Sequence, residues 1–337
     1  MSFRALSAVS MGAALALAPV RPSAQVVLTP AAPAPAAASA PSAAATGLVD
    51  PDAVLVEELV VTARERGPAW WRVSDADSTV YVLGVPSVAP KQLAWDRSTL
   101  ERRLKGANEL IVTVDPVKVK LAGAPGALIG YMRLKSGKPF EETLPEPLKG
   151  RFIQVREELG QPAKRYSTGN ALAASLMLIE DYRDHARLTA TDPSKPIRQL
   201  ARSQRIKVEE KTYDAGSLLS AVARTPRQAA LGCLQEAIDE AQAGPGAVKQ
   251  AAAAWANGDV RGALAAERTY ERCVAAAPGA LKLDARFKAD QAAAIAEALK
   301  KPGHSVAVVH LRPLLSQGGV LDRLRAQGLE IKTPGDA

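Results

Sequence analysis

The sequence predicts an α/β protein, α+β in its layout, in which helices flank a mixed β-sheet and a large helical section separates the two ends. Three observations support this fold class. Strand and helix periodicities alternate after residue 70, the same alternation returns at the C-terminal end, and residues 140–300 carry apolar residues at helical spacing. The chain has 337 residues, of which 47% are hydrophobic, so it can form a substantial core.

The first alternating region begins with a predicted β-hairpin. The stretch WWRVSDADSTVYVLGVPS contains two apolar runs that are joined by the turn SDADS. RSTLERRLKGA, residues 97–107, follows as a helix, and NELIVTVDP, residues 108–116, as a buried strand that ends at Pro116. Together these segments predict a βαβ unit with a parallel pair of strands and a right-handed crossover.

The rest of the chain is predicted to be helical until a second alternating region closes the fold. ALAASLMLIEDYRDHAR and LGCLQEAIDEAQAG carry apolar residues three and four positions apart, as an amphipathic helix does. The C-terminal region then reads as a helix (QAAAIAEALKKPG), a strand (HSVAVVHL), a helix (GGVLDRLRAQG) and a last strand (LEIKTP).

Residues 1–24 have the pattern of a secretory signal peptide. Arg4 precedes an apolar stretch from Ala5 to Val20, and small residues at Ala18 and Ala24 offer cleavage points. No later segment approaches the roughly 20 apolar residues that a membrane-spanning helix needs. We therefore expect a periplasmic or secreted protein of the Gram-negative export type, with no transmembrane segment after signal cleavage.

Residues 25–67 are predicted to be a flexible linker, and residues 68–337 the folded domain. The linker begins with a Pro/Ala/Ser tract, residues 25–50, that has too little apolar surface to order itself. It ends near VEELVVTARERGP, in which EELVVTAR resembles the energy-coupling segment (TonB box) of outer-membrane receptors. Because the match is so short, an ordinary edge strand is the favoured interpretation.

The charge pattern argues against a nucleic-acid partner. The formal net charge is +8, but Lys and Arg are interleaved with Glu and Asp, as in LERRLKGANE. A nucleic-acid surface needs clustered cations, so this pattern indicates solvated helix faces.

Two cysteines, Cys233 and Cys273, are the only thiols in the chain. Disulfides persist in exported proteins, and we therefore expect these two residues to pair. A metal site built on them is disfavoured, because the three histidines, at positions 185, 304 and 310, are distant in sequence.

Polar residues follow the predicted parallel strands and are candidates for a functional site. Ser87 follows the strand at 79–85, His310 follows the strand at 305–309, and Asp115 ends the strand between them. A Ser, a His and an Asp suggest a nucleophile, a base and an orienting group. However, Ser87 lacks the G-x-S-x-G elbow that exposes a nucleophilic serine. A serine in a turn more often forms hydrogen bonds with the backbone, so a hydrolytic triad is disfavoured.

Three stretches together resemble the TraB/GumN family, whose members are related to Tiki proteins and to the EreA/ChaN-like fold. These are AWWRVSDADSTVYVLGVPSVAP, LERRLKGANELIVTVDP and HSVAVVHLRPLLSQGGVLDRLRAQGLEI. The resemblance covers about residues 68–333. It implies a mixed sheet flanked by helices, an exported bacterial protein and a metal-dependent hydrolytic site. In that site the family has a G-x-x-H motif, a Glu after the next strand, an Arg-Asn pair and a second His.

The first half of the family motif set is altered in this chain. In GVPS, Gly84 is kept, but Ser87 stands where the family has its first His. Thr113 stands at the Glu position, although Asp115 lies two residues further on and on the same face of the strand. The resemblance therefore implies that Ser87 replaces a lost metal ligand.

The second half of the motif set is also incomplete. Arg286 is kept, but Phe287 replaces the Asn, and Ala201 stands at a further acidic position. Only His310 survives among the histidines of the motif. By resemblance, catalytic candidates are His310, Asp115, Arg286 and Ser87, and only His310 and Asp115 would remain as metal ligands.

These substitutions favour a catalytically degenerate family member that acts as a periplasmic binding or accessory protein, for a peptide or an envelope protein. No cofactor is expected, because one His and a displaced Asp are a poor ligand set. The alternative is a metal-dependent, peptidase-like hydrolase with an altered site that uses Mn²⁺, Co²⁺ or Zn²⁺. A third hypothesis is an envelope interaction protein that works through the segment VEELVVTAR.

Overall fold

A mixed β-sheet lies at the centre of the computed structural model, which describes residues 47–113, 117–118, 128–129, 132, 134–135, 137–189, 194–210 and 213–336. These residues belong to one compact unit. The strands are β1 (Trp70–Ser74), β2 (Ser78–Val85), β3 (Ala89–Pro90), β4 (Glu109–Val112), β5 (Val117–Lys118), β6 (Leu188–Thr189), β7 (Lys207–Glu210), β8 (Tyr213–Asp214), β9 (Gly303–His310) and β10 (Glu330–Lys332).

Helices surround this sheet and form most of the section between β4 and β9. They are α1 (Ser98–Leu104), α2 (Leu148–Glu158), α3 (Ala171–His185), α4 (Ser194–Ser203), α5 (Ala215–Ala223), α6 (Arg227–Ala243), α7 (Gly246–Ala256), α8 (Val260–Ala263), α9 (Thr269–Ala275), α10 (Ala280–Ala298), α11 (Leu311–Leu315) and α12 (Val320–Ala326). The α/β fold class and the mixed sheet are thereby confirmed.

Six strands form the main sheet in the order β10-β1-β2-β9-β4-β7. The predicted hairpin is confirmed as the antiparallel pair β1–β2, and β10 pairs antiparallel with the outer side of β1. Strands β2, β9, β4 and β7 are parallel to one another. One half of the sheet is thus a parallel array and the other an antiparallel hairpin with an added strand.

The predicted direct pairing of β2 with β4 is wrong, because β9 lies between them. Val85 pairs with His310 on one side of β9, and Val112 pairs with Val308 on the other. Residues 305–309 are buried on both faces, and a strand of this kind belongs in the centre of a parallel array.

Strand β7 interrupts the region that is predicted to be helical throughout. Three of its four residues, KVEE, are charged and exposed, and the strand lies at the edge of the sheet. A short, charged edge strand has no alternating apolar pattern and therefore gives no periodicity signal.

Two large hydrophobic cores and one small cluster around Val88 and Tyr182 fill the described structure. The core around the sheet contains Trp71 and Trp255, and a separate core packs among the helices of the middle section. In the helical core, Phe152 and Tyr166 stack edge to face with ring centroids 5.1 Å apart. No helix in the described ranges is long and apolar enough to cross a bilayer.

The last part of the predicted linker is packed onto the folded domain. Leu48 is buried in the helical core and Leu59 in the core around the sheet, and Trp71 Nε1 donates a hydrogen bond to the Leu59 carbonyl at 3.2 Å. Residues 57–59 form a 3₁₀ turn, so the edge strand predicted for EELVVTAR does not form. The predicted signal peptide, 1–24, and the tract up to residue 46 lie outside the described residues.

We call residues 48–56 the strap, because they run along the surface between these two anchors. The Val56 amide donates to the Leu315 carbonyl at 2.9 Å, and the Gln317 amide donates to the Val54 carbonyl at 2.9 Å. The strap therefore lies against the segment that follows β9, at the carboxyl end of the parallel strands.

Candidate functional site

The parallel pair β2–β9 brings two of the predicted site residues to the same edge of the sheet. Val85, the last residue of β2, pairs with His310, the last residue of β9, and Ser87 lies two positions beyond. The predicted common edge is confirmed for Ser87 and His310, both of which are half-buried. Asp115 lies outside the described residues.

Gly84 has a packing role at this edge. A Cβ atom at this position would come within 2.5 Å of Leu311 Cδ1 and 3.1 Å of the Trp71 ring. Its carbonyl accepts a hydrogen bond from Trp255 Nε1 at 2.6 Å. The glycine therefore lets α11 and two tryptophans pack directly against the end of β2.

Ser87 lies against the carboxylate of Glu271, a residue of α9. Burial alone would raise the pKa of Glu271, but the charges of Arg268 and Arg183 and hydrogen bonding from Ser87 lower it below its ordinary value. The Ser87 hydroxyl thus helps to hold a buried carboxylate in its charged form.

Arg268 joins this carboxylate to the strap. Its Nη1 lies 3.5 Å from Glu271 Oε1, and its Nε and Nη2 bind the two oxygens of Asp50 at 3.0 and 2.8 Å. Nη2 also binds Asp52 Oδ2 at 2.9 Å. Burial alone would raise the pKa of Asp50, but the hydrogen bonds and charge of Arg268 outweigh burial and lower it.

Lys288, on α10, completes the contacts of Asp52. Its Nζ lies 2.7 Å from Asp52 Oδ1 and 2.7 Å from Asp284 Oδ2, and its side chain is only 6% exposed. Burial alone would lower the pKa of Lys288, but Asp52 and Asp284 outweigh it and raise the pKa. A buried ammonium group is therefore held in its charged form by two carboxylates.

Arg312 extends the network to the end of β9. It lies two residues after His310, and its Nη1 and Nη2 donate to the carbonyls of Asp52 at 3.3 Å and Leu264 at 2.5 Å. Burial and the nearby Arg268 lower its pKa. Polar and charged contacts thus connect the residues that follow β2 with those that follow β9. We call the residues of these contacts the strand-end network: Ser87, Glu271, Arg268, Asp50, Asp52, Lys288, Asp284 and Arg312.

Arg183 links the strand-end network to the helical section, because its charge also acts on Glu271. This guanidinium lies 5.0 Å from the centre of the Tyr270 ring and close to Glu240. Burial raises the pKa of Glu240, against the opposing charge of Arg183 and a hydrogen bond from Thr269.

Arg286 does not join the strand-end network. Its side chain is 71% exposed, and its Nε lies 3.8 Å from Asp290 on the next turn of α10. Asp284 and Lys288 face the strap from the same helix, and a residue midway between them points to the opposite side. The structure therefore does not bring Arg286 into contact with the residues around Ser87, and its catalytic role stays a prediction.

A separate groove of about 370 Å³ lies between β4, β7 and α10. Two positions of the family motif, Thr113 and Phe287, line it. Thr113 Oγ1 donates to the Val308 carbonyl at 3.0 Å, and Gln291 Nε2 donates to the Thr113 carbonyl at 3.2 Å. Ala201 belongs neither to the strand-end network nor to the lining of this groove, because it is fully buried in the core around the sheet.

Metal ligands do not gather in the described ranges: no three His, Cys, Asp or Glu side chains lie there in an arrangement that could hold an ion. The predicted pair of ligands, His310 and Asp115, is not tested by this finding, since Asp115 is not among those residues.

Cys233 and Cys273 are free thiols in the structure, and both are fully buried. Burial raises the pKa of Cys273, and a hydrogen bond that the Cys273 thiol donates to Cys233 raises it further. The two thiols are thus neighbours between α6 and α9. The predicted disulfide stays a prediction.

Sequence reasoning missed the principal charged residues of the network. Asp50 and Asp52 are the first charged residues after an uncharged tract of residues 25–49, and this isolated pair was the available signal. Arg268 stands just before a helix, and Glu271 and Lys288 stand within helices, where nothing in the local pattern distinguishes these residues from solvated charges.

A model of the TraB/PrgY/gumN family matches residues 69–333. The match covers most of the chain, and the protein belongs to this family. No curated protein and no solved structure matches the chain.

Proposed function

We propose that this protein is an exported, catalytically degenerate member of the TraB/PrgY/gumN family that acts as a periplasmic binding or accessory protein. The observation that carries the proposal is the strand-end network. Where the resemblance implies a metal-binding hydrolytic site, Arg268 and Lys288 are paired with the strap carboxylates Asp50 and Asp52.

The chemistry of the network supports a structural role. A divalent cation binds where several O or N donors converge without competing cations. Here the carboxylates of Asp50, Asp52 and Glu271 contact guanidinium or ammonium groups, so an incoming cation would have to displace those groups. Ser87 supports Glu271 and fits the role of a lost ligand.

The groove beside β4 is the surface that we assign to a bound peptide or envelope protein. It combines an apolar floor, which includes Ile111 and Phe287, with charged residues of the edge strand β7. An exposed strand edge next to a groove is a common place for an extended peptide to bind.

One observation favours the alternative, a metal-dependent hydrolase. His310, the family histidine that this chain retains, lies at the strand end beside Ser87 and close to the network. An active site that uses His310 together with Asp115 would therefore lie at the same edge.

A hydrolysis assay separates the two functions. We expect the purified full chain, supplied with Mn²⁺, Co²⁺ or Zn²⁺, to leave a mixture of unstructured peptides uncleaved when the products are analysed by mass spectrometry. Cleavage that the His310→Gln variant abolishes, while a variant of an exposed arginine outside the candidate residues, Arg261→Gln, retains it, would instead establish the hydrolase.

Export and the cysteines give a further prediction. We expect the protein recovered from the periplasm to lack residues 1–24 and to contain a Cys233–Cys273 disulfide, because the two buried thiols are neighbours. Such a link adds about 2–4 kcal/mol to the free energy of unfolding. Two free thiols in the denatured, unreduced protein, measured by thiol titration, would contradict the disulfide, and an intact N-terminus would contradict export.

A further inference from the structure

In the middle of the strap, residues 49–54, the charged side chains are buried or half-buried and the valines are exposed. Asp52 is 2% exposed and points into the domain, whereas Val49 and Val54 are 57% and 62% exposed. A segment that packs for hydrophobic burial would turn its valines inward. The middle of the strap is therefore held mainly by charge.

The receiving site is built entirely by the folded domain. Arg268 precedes α9, Lys288 lies on α10 and Arg312 lies on α11, so three separate elements direct cations to one place. Arg268 and Lys288 are buried and Arg312 is half-buried. Among the described residues, Glu271 and Asp284 are the carboxylates of the folded domain that would still contact Arg268 and Lys288 without the strap. Three cations against two carboxylates would favour another anionic group at the site.

The strap is anchored separately from its charged contacts. Leu59 is fully buried and accepts the hydrogen bond from Trp71, so the chain beyond the strap is fixed independently of Asp50 and Asp52. Backbone hydrogen bonds to Leu315 and from Gln317 hold the strap in place, and any extended peptide can form such bonds. Asp50 and Asp52 lie in a turn, in which the Ala53 amide donates to the Asp50 carbonyl at 3.2 Å and the Asp52 amide donates to Asp50 Oδ1 at 2.9 Å. Recognition thus uses two carboxylates presented by a turn, followed by a short extended segment.

We propose that Arg268, Lys288 and Arg312 form a carboxylate-binding site that the strap occupies as an internal ligand, and that the exchangeable ligand of this site is an acidic peptide segment that presents two carboxylates from a turn. The site and the strap do not depend on whether the protein hydrolyses anything, so this proposal goes beyond the proposed function.

Peptide binding to the full chain tests this proposal. The probe is a fluorescein-labelled peptide of residues 46–58, TGLVDPDAVLVEE, and the measurement is fluorescence anisotropy. A tethered strap competes at an effective concentration of the order of millimolar, so we expect the native chain to bind the probe about a hundredfold or more weakly than the Asp50→Asn/Asp52→Asn variant does. Adding Arg268→Gln to that variant should abolish the gain.

The matched control is the same peptide with both Asp residues replaced by Asn. Equal binding of the two peptides to the variant would overturn the proposal, as would equal binding of the acidic peptide to the variant and to the native chain. Circular dichroism must show that the variant is folded for these comparisons.

Native-state hydrogen exchange supplies a test that needs no variant. We expect the amides of Val56 and Gln317 to exchange through a local opening, at least about tenfold faster than amides of β9, because the strap can leave while the sheet stays folded. Exchange of these amides only at the rate of global unfolding would show that the strap is a permanent part of the fold and would overturn the proposal. Neither result bears on the hydrolysis assay.

Discussion

Asp52 shows most clearly how single residues hold this structure together. Its two carboxylate oxygens contact Arg268 at 2.9 Å and Lys288 at 2.7 Å, and its side chain is only 3% exposed. Buried ion pairs of this kind contribute little net stability compared with apolar packing, but the loss of one partner leaves an uncompensated buried charge. The network therefore fixes where the strap lies more than it stabilises the whole protein.

The substitution Asp52→Asn tests whether the loss of one buried partner leaves an uncompensated charge. It keeps the size of the side chain but removes the charge that compensates Arg268 and Lys288. We expect the free energy of unfolding, measured by urea denaturation, to fall by about 3–5 kcal/mol.

Glu57→Gln is the matched control, because Glu57 also pairs with an arginine, Arg261, but both side chains are at least 65% exposed. We expect no measurable change in this variant. If both variants lose the same stability, the burial argument for Asp52 does not hold.

At the scale of elements, the two faces of α10 divide the candidate site. Asp284 and Lys288 face the strap, whereas Phe287 and Gln291 line the groove beside β4. One face of α10 thus belongs to the ion network and another lines the groove.

The contact between β2 and α11 gives a prediction at the same scale. Gly84→Ala should destabilise the protein by about 1–3 kcal/mol, because the added methyl group would overlap Leu311 and press on Trp71. Thermal unfolding followed by circular dichroism measures the effect.

Gly150→Ala, on α2, is the control for this substitution. A Cβ at Gly150 meets only Glu146 Oε2, at an ordinary 3.6 Å. We expect this variant to be more stable by about 0.5–1 kcal/mol, since alanine favours the helix. If Gly84→Ala left the thermal stability unchanged, α11 would have to shift without a loss of stability, which would contradict the packing role of Gly84.

At the scale of the whole molecule, the sequence predicts what local periodicity encodes. The hairpin at residues 70–85, the C-terminal strand and helix elements and the common edge of Ser87 and His310 follow from apolar spacing and from the rule for parallel strands. The motif resemblance identifies the family over nearly the full domain.

Long-range pairing accounts for what the sequence does not predict. The placement of β9 between β2 and β4 joins segments that are distant along the chain. The bond between Arg268 and Asp50 likewise joins residues 218 positions apart. Neither contact can be read from a local sequence pattern. Strand order depends on distant segments, and the sequence around a buried charged residue does not differ from that around a solvated one.

In the proposed function, charged side chains, including those of the strap, stand where a metal site would lie at the strand ends. Calorimetric titration of the native chain with Mn²⁺, Co²⁺ and Zn²⁺ tests it most directly, with the Ser87→His/Thr113→Glu variant beside it. We expect no stoichiometric tight binding to the native chain and a clear gain in affinity in the variant, because each restored ligand adds a directed bond. One equivalent of tightly bound metal on the native chain would contradict the claim, and the lack of any gain in a folded variant would show that these positions are not those of the lost ligands.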